Sequence, residues 1–261
     1  MSKIKKILIP VDFTDTSENA LKYVDQFLHN DNTTEVVLLY VSDTTLSEEK
    51  SKEVESAFHQ LAKRVLSSVK APYSFQQRSG ELVKTILDVQ AETGADLILV
   101  GTKGSEATEE QATSNTANLV LKANVPVLVI PEGASFAMKN IALALDKNEI
   151  DDFFLLSPLH AIARKFDAAV HLLTVQTEEN QVVSHGKNAG LLEYYLETLD
   201  HHCAFPQNTD IEIGISDYVT ENNIDLLVML PRVRATKGIP SEGRLIKILT
   251  LRTRIPLLTL D

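Results

Sequence analysis

The sequence has little that is covalent or aromatic to work with: no tryptophan, one cysteine, and 6% aromatic residues among 261. A lone Cys203 excludes an intrachain disulfide, which fits a reducing compartment. Apolar runs of about 20 residues, the length of a membrane span, are absent. At the start, lysines precede apolar residues as in a secretion signal, but Pro10 and Asp12 cut the run short. These absences lead us to expect a cytoplasmic protein. Positive charge is scarce too: 25 Lys and Arg against 36 Asp and Glu give a formal net charge of -11, which argues against a general nucleic-acid surface. Catalytic groupings are also missing, with no Ser-His-Asp spacing, no Walker lysine and no Ser-Gly-Gly-x-Asp-Ser pyrophosphatase loop. A binding protein is expected before an enzyme.

What is present is a globular composition, 44% hydrophobic and 23% charged, over a length that suits two cores. Lys6 to Asp12 is a continuous apolar run, the pattern of a strand buried on both faces. Asp15 and Glu18 read as a capping box opening a helix whose Leu21, Val24, Phe27 and Leu28 share one face. Glu35 to Val41 follows as a strand, Ser47 to Lys70 as a long helix, and Tyr73 to Gln77 as a weak strand. Glu81 to Thr93 is then a helix and Ala95 to Gly101 a strong strand; Ala117 to Ala123 is a helix and Pro126 to Ile130 a closing strand. Strands alternating with helices predict a parallel sheet with right-handed crossovers and a ligand crevice beyond the carboxyl ends of its strands. Asp12, Val41 and Gly101 each lie at such an end.

The pattern then repeats after the linker Pro131 to Ser135. Lys139 to Asp146 answers Lys5 to Asp12, and Val170 to Gln176 answers Val36 to Ser42 at the same offset. Asp225 to Met229 answers Asp96 to Val100, and Ile255-Pro256-Leu257 answers Val125-Pro126-Val127. The chain therefore reads as a tandem duplication, with one domain over 1–133 and a second over 137–261. The final strands, Val127 to Ile130 and Leu257 to Leu260, are short and apolar, and the simplest cover for each is the other, giving a pseudo-dimer within one chain. A homodimer is a further option.

The halves differ in one loop. Gly101 and Gly104, three apart after a strand and followed by a hydroxyl-rich helix start at Ser114, give main-chain N–H groups access to a phosphate. An ordinary βα turn accounts for the same glycines. The second half has Met229-Leu230-Pro231-Arg232-Val233 there, with branched residues at both glycine positions and a proline that removes a donor.

Taken together, the opening Ile-Leu-Ile-Pro-Val-Asp, the Leu-Tyr-Val ending at Val41, Ala-Asp-Leu-Ile-Leu-Val-Gly and the closing Val-Pro-Val-Leu-Val-Ile-Pro resemble the universal stress protein family. Its nucleotide-binding members carry Gly, two residues, Gly, nine residues, Gly and then Ser or Thr. The spacing fits here through Thr113, but the final pair reads Ser114-Asn115. The resemblance implies two Rossmann-like domains of the adenine nucleotide alpha hydrolase type, each a five-stranded parallel sheet of order 3-2-1-4-5. It implies that Asp12, flanked by Pro10 and Val11, meets the adenosine end, and that the backbone of Val41 reads the adenine edge. Val100, Gly101, Lys103, Gly104, Ser114, Asn115 and Thr116 would serve the phosphates, Lys103 by neutralising charge. The implied ligand is ATP, with AMP and ADP as the other candidates. Glu106, Glu109 and Glu110 in the covering loop would repel a triphosphate unless Mg2+ or a similar cation intervened.

This leads us to expect a nucleotide-binding stress-response module with its nucleotide in the first half only. Two rivals stand beside it: a nucleotide-free interaction module, favoured by Ser114-Asn115 and the acidic loop, and a weak ATPase, favoured by Asp12 beside a phosphate cradle. Other signals carry less. Asp200-His201-His202-Cys203 lacks metal-ligand spacing and is placed at a helix end. His160 and His171 read as core or boundary histidines. Arg232, Arg234, Lys237, Arg244 and Lys247 form a basic cluster, read as a solvated face or as a dock for an anion or acidic partner.

Overall fold

The structure is a computed structural model, and it describes residues 4–67, 69–103, 115–145, 152–178, 189–230 and 254–260. Contacts divide the described residues into two compact units, a first built on 4–136 and a second on 137–230 and 255–260. In the first, the elements run β1 (Lys6–Pro10), α1 (Asp15–Phe27), β2 (Glu35–Ser42), α2 (Glu48–Val65), β3 (Tyr73–Ser79), α3 (Leu82–Thr93), β4 (Leu97–Thr102), α4 (Asn115–Lys122) and β5 (Val127–Pro131). The second holds β6 (Asn140–Ala144), a 3-10 turn over Phe153–Leu156, α5 (Ser157–Phe166), β7 (Ala169–Leu173) and α6 (Ala189–Leu196). It continues through β8 (His201–Ala204), α7 (Ile211–Glu221), β9 (Leu226–Met229) and β10 (Leu257–Thr259).

Within the first unit the strands lie side by side as β3-β2-β1-β4-β5, and within the second as β8-β7-β6-β9-β10, every pairing inside a unit being parallel. Read by order of appearance, each is 3-2-1-4-5. The central strands explain why: Ile7, Leu8 and Ile9, Leu97 to Leu99, and Ile141 to Leu143 have no exposed surface, so both faces must be covered by helices. The helix α1 covers β4 and β5 with Leu21, Val24, Phe27 and Leu28, the face that the periodicity predicts. The helix α2 buries Phe58, Leu61 and Val65, and Phe58 stacks on Phe75 of β3 with ring centroids 3.9 Å apart.

Three boundaries move from their sequence-based positions. The α1 cap is Thr14, whose hydroxyl oxygen accepts from Ser17 N–H, and Asp15 is the first helical residue instead of the cap. The helix α2 ends at Val65, short of Lys70, because Leu66 closes it and Val69 N–H turns back to the Leu66 carbonyl. The strand β4 runs one residue past Gly101, to Thr102. None of the described helices is long and apolar enough to cross a membrane.

Candidate functional site

The order 3-2-1-4-5 reverses direction between β1 and β4, and this is where a doubly wound sheet opens. In the first unit the opening is unusually deep. The ladder between β1 and β4 comprises only Ile7–Leu97 and Leu8–Ile98, and stops there although both strands continue. The cause is one residue. Val11 N–H donates to Leu39 O at 2.8 Å, so the main-chain groups of residues 9 and 11 face β2 and those of residue 10 face β4. Residue 10 is proline, and the donor that would carry the ladder onward toward β4 does not exist. The second unit has Ala144 at this place, and its β6–β9 ladder runs unbroken from Ile141–Leu226 to Ala144–Met229.

The same alternation orients Val41. Leu39 O faces β1 and Ser42 O faces β3, where it accepts from Gly80 N–H at 2.9 Å. Val41 therefore turns its N–H and C=O toward β1, past the last β1–β2 pair, Pro10 with Leu39. Its main-chain edge looks onto the opening.

Between β1 and α1 the chain makes a tight turn. Asp12 Oδ1 accepts from Thr14 N–H at 3.1 Å and from the Thr14 hydroxyl at 2.6 Å. Burial pushes the Asp12 carboxyl up, but the hydrogen bonds from Thr14, joined by the Ser17 hydroxyl, outweigh it and hold the pKa below the ordinary value. The carboxylate is thus ionised and fixed by its own turn, with Oδ2 left to meet a ligand. Phe13, next in the turn, has φ +61°, and its ring rests against Tyr40 with centroids 5.6 Å apart.

Gly101 acquires a reason that the motif did not give. A Cβ placed there would come within 2.6 Å of the Thr16 carbonyl oxygen in the first turn of α1. The glycine lets the helix start press against the end of β4, whatever the loop beyond it binds. Val100 and Gly101 are half-buried beside the opening, Lys103 is exposed at its rim, and Asn115 and Thr116 open the described part of α4. Gly104 and Ser114 lie outside the described residues, as do the loop between them with Glu106, Glu109 and Glu110, Asp146, and Arg232, Arg234, Lys237, Arg244 and Lys247.

The structure thus brings Pro10, Val11, Asp12, Val41, Val100, Gly101 and Lys103 to the carboxyl ends of β1, β2 and β4. An anionic ligand with a flat hydrogen-bonding end fits this chemistry: a free main-chain donor and acceptor at Val41, an oriented carboxylate, a backbone stripped of Cβ, and an ammonium. Sequence reasoning missed Phe13 and Tyr40, and no periodicity would have found them. A rule of αL conformations, that bulky residues avoid them, shows its exception only in coordinates.

The set-aside histidines fall elsewhere. His201 to Ala204 forms the edge strand β8, correcting the helix-end placement. His171 Nδ1 shares a hydrogen bond with Tyr218 Oη at 2.9 Å, and its ring meets His202 at 4.1 Å. Burial, then His202, lowers the His171 pKa. His160 is 1% exposed, with Nε2 bonded to Thr198 Oγ1 at 3.2 Å. Among the described residues no group of three or more His, Cys, Asp or Glu converges as a metal site.

A doubly wound α/β unit with a crevice at its switch point defines the class: a Rossmann-like small-ligand-binding fold. Residues 3–131 match the model of the Universal stress protein family. Universal stress protein MJ0577 of Methanocaldococcus jannaschii is 28% identical over 153 residues, 48% of this chain and 94% of that protein. The chain belongs to the universal stress protein family. A universal stress protein from Archaeoglobus fulgidus shares the fold with a TM-score of 0.75 at 17% identity, over 99% of this chain and 98% of that one. PA1789, a functionally unknown protein of Pseudomonas aeruginosa, does so with a TM-score of 0.72 at 16% identity, over 98% and 92% of the two chains.

Proposed function

We propose that this chain is a cytoplasmic, stress-related nucleotide-binding module built of two tandem universal stress protein domains, over 1–133 and 137–261, that takes ATP, or else ADP or AMP, in the first domain only. One observation carries the reading: the first unit's sheet is split at its switch point beside Asp12, Val41 and Gly101, while the second unit's ladder is closed and has Leu230 in place of the glycine. In the split, the Val41 main chain would pair with the adenine edge and Asp12 with the adenosine end. Pro10, Val11 and Val100 would wall the crevice. Gly101, Gly104, Ser114, Asn115 and Thr116 would present donors to the phosphates beside Lys103, with Mg2+ offsetting the acidic loop. Nucleotide uptake would then reset that loop and the surface it offers to a protein partner.

Isothermal titration with ATP, ADP and AMP, with and without Mg2+, tests this directly. One nucleotide per chain is expected, lost in Gly104→Val. Absence of heat with all three at protein concentrations well above micromolar would leave the nucleotide-free interaction module, which the Ser114-Asn115 departure favours. Product analysis of the same mixtures separates binding from hydrolysis, since binding alone leaves ATP intact.

A further inference from the structure

Among the described residues the non-glycine positions with left-handed φ are Phe13, Asn30, Asp167 and Asn223. Asn and Asp adopt that backbone because their short polar side chains bond locally; an aromatic side chain gains nothing of the kind. A bulky residue held at φ +61° points to a demand on where its ring must lie. The flanking bonds supply the hold. Asp12 Oδ1 grips Thr14 on one side of the turn, and Thr14, as cap of α1, is bonded to Ser17 on the other. The Phe13 ring is thereby laid on Tyr40 at 5.6 Å with the planes tilted by 32°. Both residues stay half-buried, so the arrangement does not serve to fill the core.

The opening between β1 and β4 is chemically two-ended. On the β4 side stand Gly101 and the exposed Lys103; on the β1–β2 side stand the two rings and the main-chain edge of Val41, which directly follows Tyr40. An anion suits the first end, and a flat heteroaromatic ring with an edge of donors and acceptors suits the second. The geometry points to Phe13 and Tyr40 as an aromatic wall on which the base of the nucleotide stacks, favouring purines over the smaller pyrimidines. This rests on the nucleotide reading above. It accounts for the conformation of Phe13: the left-handed turn aims the ring at the base end of the crevice instead of away from it.

The test is a set of titrations with ATP, CTP and inorganic tripolyphosphate on wild type, Phe13→Gly, Phe13→Trp, Tyr40→Ala and Tyr40→Phe. Glycine is at ease at positive φ, so Phe13→Gly keeps the course of the turn while removing the ring. Tyr40→Ala removes the other ring from ordinary strand backbone, so the test does not depend on one variant folding. Loss of a stacking ring is expected to weaken ATP by about tenfold or more. Tripolyphosphate binding stays level, the ratio of ATP to CTP affinity narrows, and the two aromatic replacements hold ATP within about threefold of wild type. If wild type binds ATP and the Gly and Ala variants bind it equally well or more tightly, the wall is wrong and the rings act as packing or as a plug. A wild type that takes up neither ATP nor CTP overturns the nucleotide reading, and the wall with it.

Discussion

The two units share their frame down to single hydrogen bonds and part company at the mouth of the sheet. Asp96 Oδ2 accepts from the N–H groups of Lys5 and Lys6 at 2.8 and 3.0 Å; Asp225 Oδ2 accepts from those of Lys139 and Asn140 at 2.6 and 3.0 Å. Ile98 N–H reaches Pro126 O at 3.0 Å, as Leu227 N–H reaches Pro256 O at 3.0 Å. At the carboxyl ends the likeness stops. Pro10 stands against Ala144 and Gly101 against Leu230, and one ladder is cut after two pairs where the other runs for four. The first unit's opening is made by subtraction, of an N–H at one position and a Cβ at the other. A sheet built to stay closed needs neither change.

Exchanging the second of these pairs should have the largest effect. Gly101→Leu gives the first unit the residue of the second, and its Cβ would fall 2.6 Å from a backbone oxygen that cannot step aside. Displacing the start of α1 is expected to cost about 3 kcal/mol of stability, the upper range for overpacking. Nucleotide affinity should drop by more than about 100-fold, since Asp12, Phe13 and the α1 cap move together. The reverse change, Leu230→Gly, removes a half-buried side chain for about 1–2 kcal/mol and gains no nucleotide. Calorimetry and titration of both variants decide it. Full nucleotide binding by Gly101→Leu would show that the approach of α1 to β4 is irrelevant to the site.

The proline exchange is next. Ala144→Pro takes a donor from the closed ladder and is expected to destabilise the second unit by about 2 kcal/mol. Pro10→Ala restores a donor to the open one. The β1–β4 ladder should extend by the missing bond, seen as slowed hydrogen exchange at residue 10, while nucleotide affinity falls several-fold. Unchanged exchange at that amide would mean that the strands are spread by something other than the proline.

Asp96→Ala and Asp225→Ala sharpen the comparison from the other side, where the units agree. Each removes an acceptor of two main-chain bonds, so each should cost about 1.5 kcal/mol, and the two costs should match to within about 0.5 kcal/mol. Neither should alter nucleotide affinity, because both lie at the amino ends of their strands, away from the crevice. Chemical denaturation followed by titration checks both statements. A cost in one unit only would show that the shared bonds are not equivalent.

How much of this could be read from the chain depended on whether the cause was local. The runs Ile7 to Ile9 and Leu97 to Leu99 announce buried strands because no neighbour is needed to see them, and the α1 stripe of Leu21, Val24, Phe27 and Leu28 follows from helical period alone. The cap of α1 slipped by one because a threonine and an aspartate stand side by side, either of them a good cap, and Asp12 decides between them by engaging Thr14. At the site, Pro10 was legible only as the end of an apolar run. That its missing N–H faces β4 and not β2 is a fact of register, fixed by Val11 reaching Leu39. Gly101 was legible as a glycine after a strand, but the carbonyl that excludes its Cβ belongs to Thr16, 85 positions earlier in the chain. The left-handed turn at Phe13 had no signal at all, since nothing in the sequence separates it from an ordinary aromatic residue before a helix.

The smallest expected effect concerns how each unit returns from its first helix to its second strand. The first unit spans 28–34 and ties it with Asp31, whose Oδ1 accepts from Thr33 N–H at 2.8 Å and Thr34 N–H at 3.1 Å, with both threonine hydroxyls bonded to the same carboxylate. The second unit turns directly through Asp167 in left-handed conformation, φ +53°, its N–H donating to Ala163 O. Burial raises the Asp31 pKa, but the four hydrogen bonds outweigh it and hold the carboxyl far below its ordinary value of 3.8. A carboxyl with a depressed folded pKa adds stability that is complete above the unfolded value and is lost as pH falls below it. Asp31 should therefore stabilise the first unit fully at neutral pH and progressively less from about pH 4 downward. Asp31→Asn keeps one acceptor but no charge, so it should cost about 1 kcal/mol at pH 7, discounted for the partial exposure of the loop. Below about pH 4 its unfolding midpoint should fall less steeply than that of wild type, the two curves converging. Parallel curves from pH 7 to the acid limit would mean that the carboxylate charge is idle, and that the loop is held by the threonines alone.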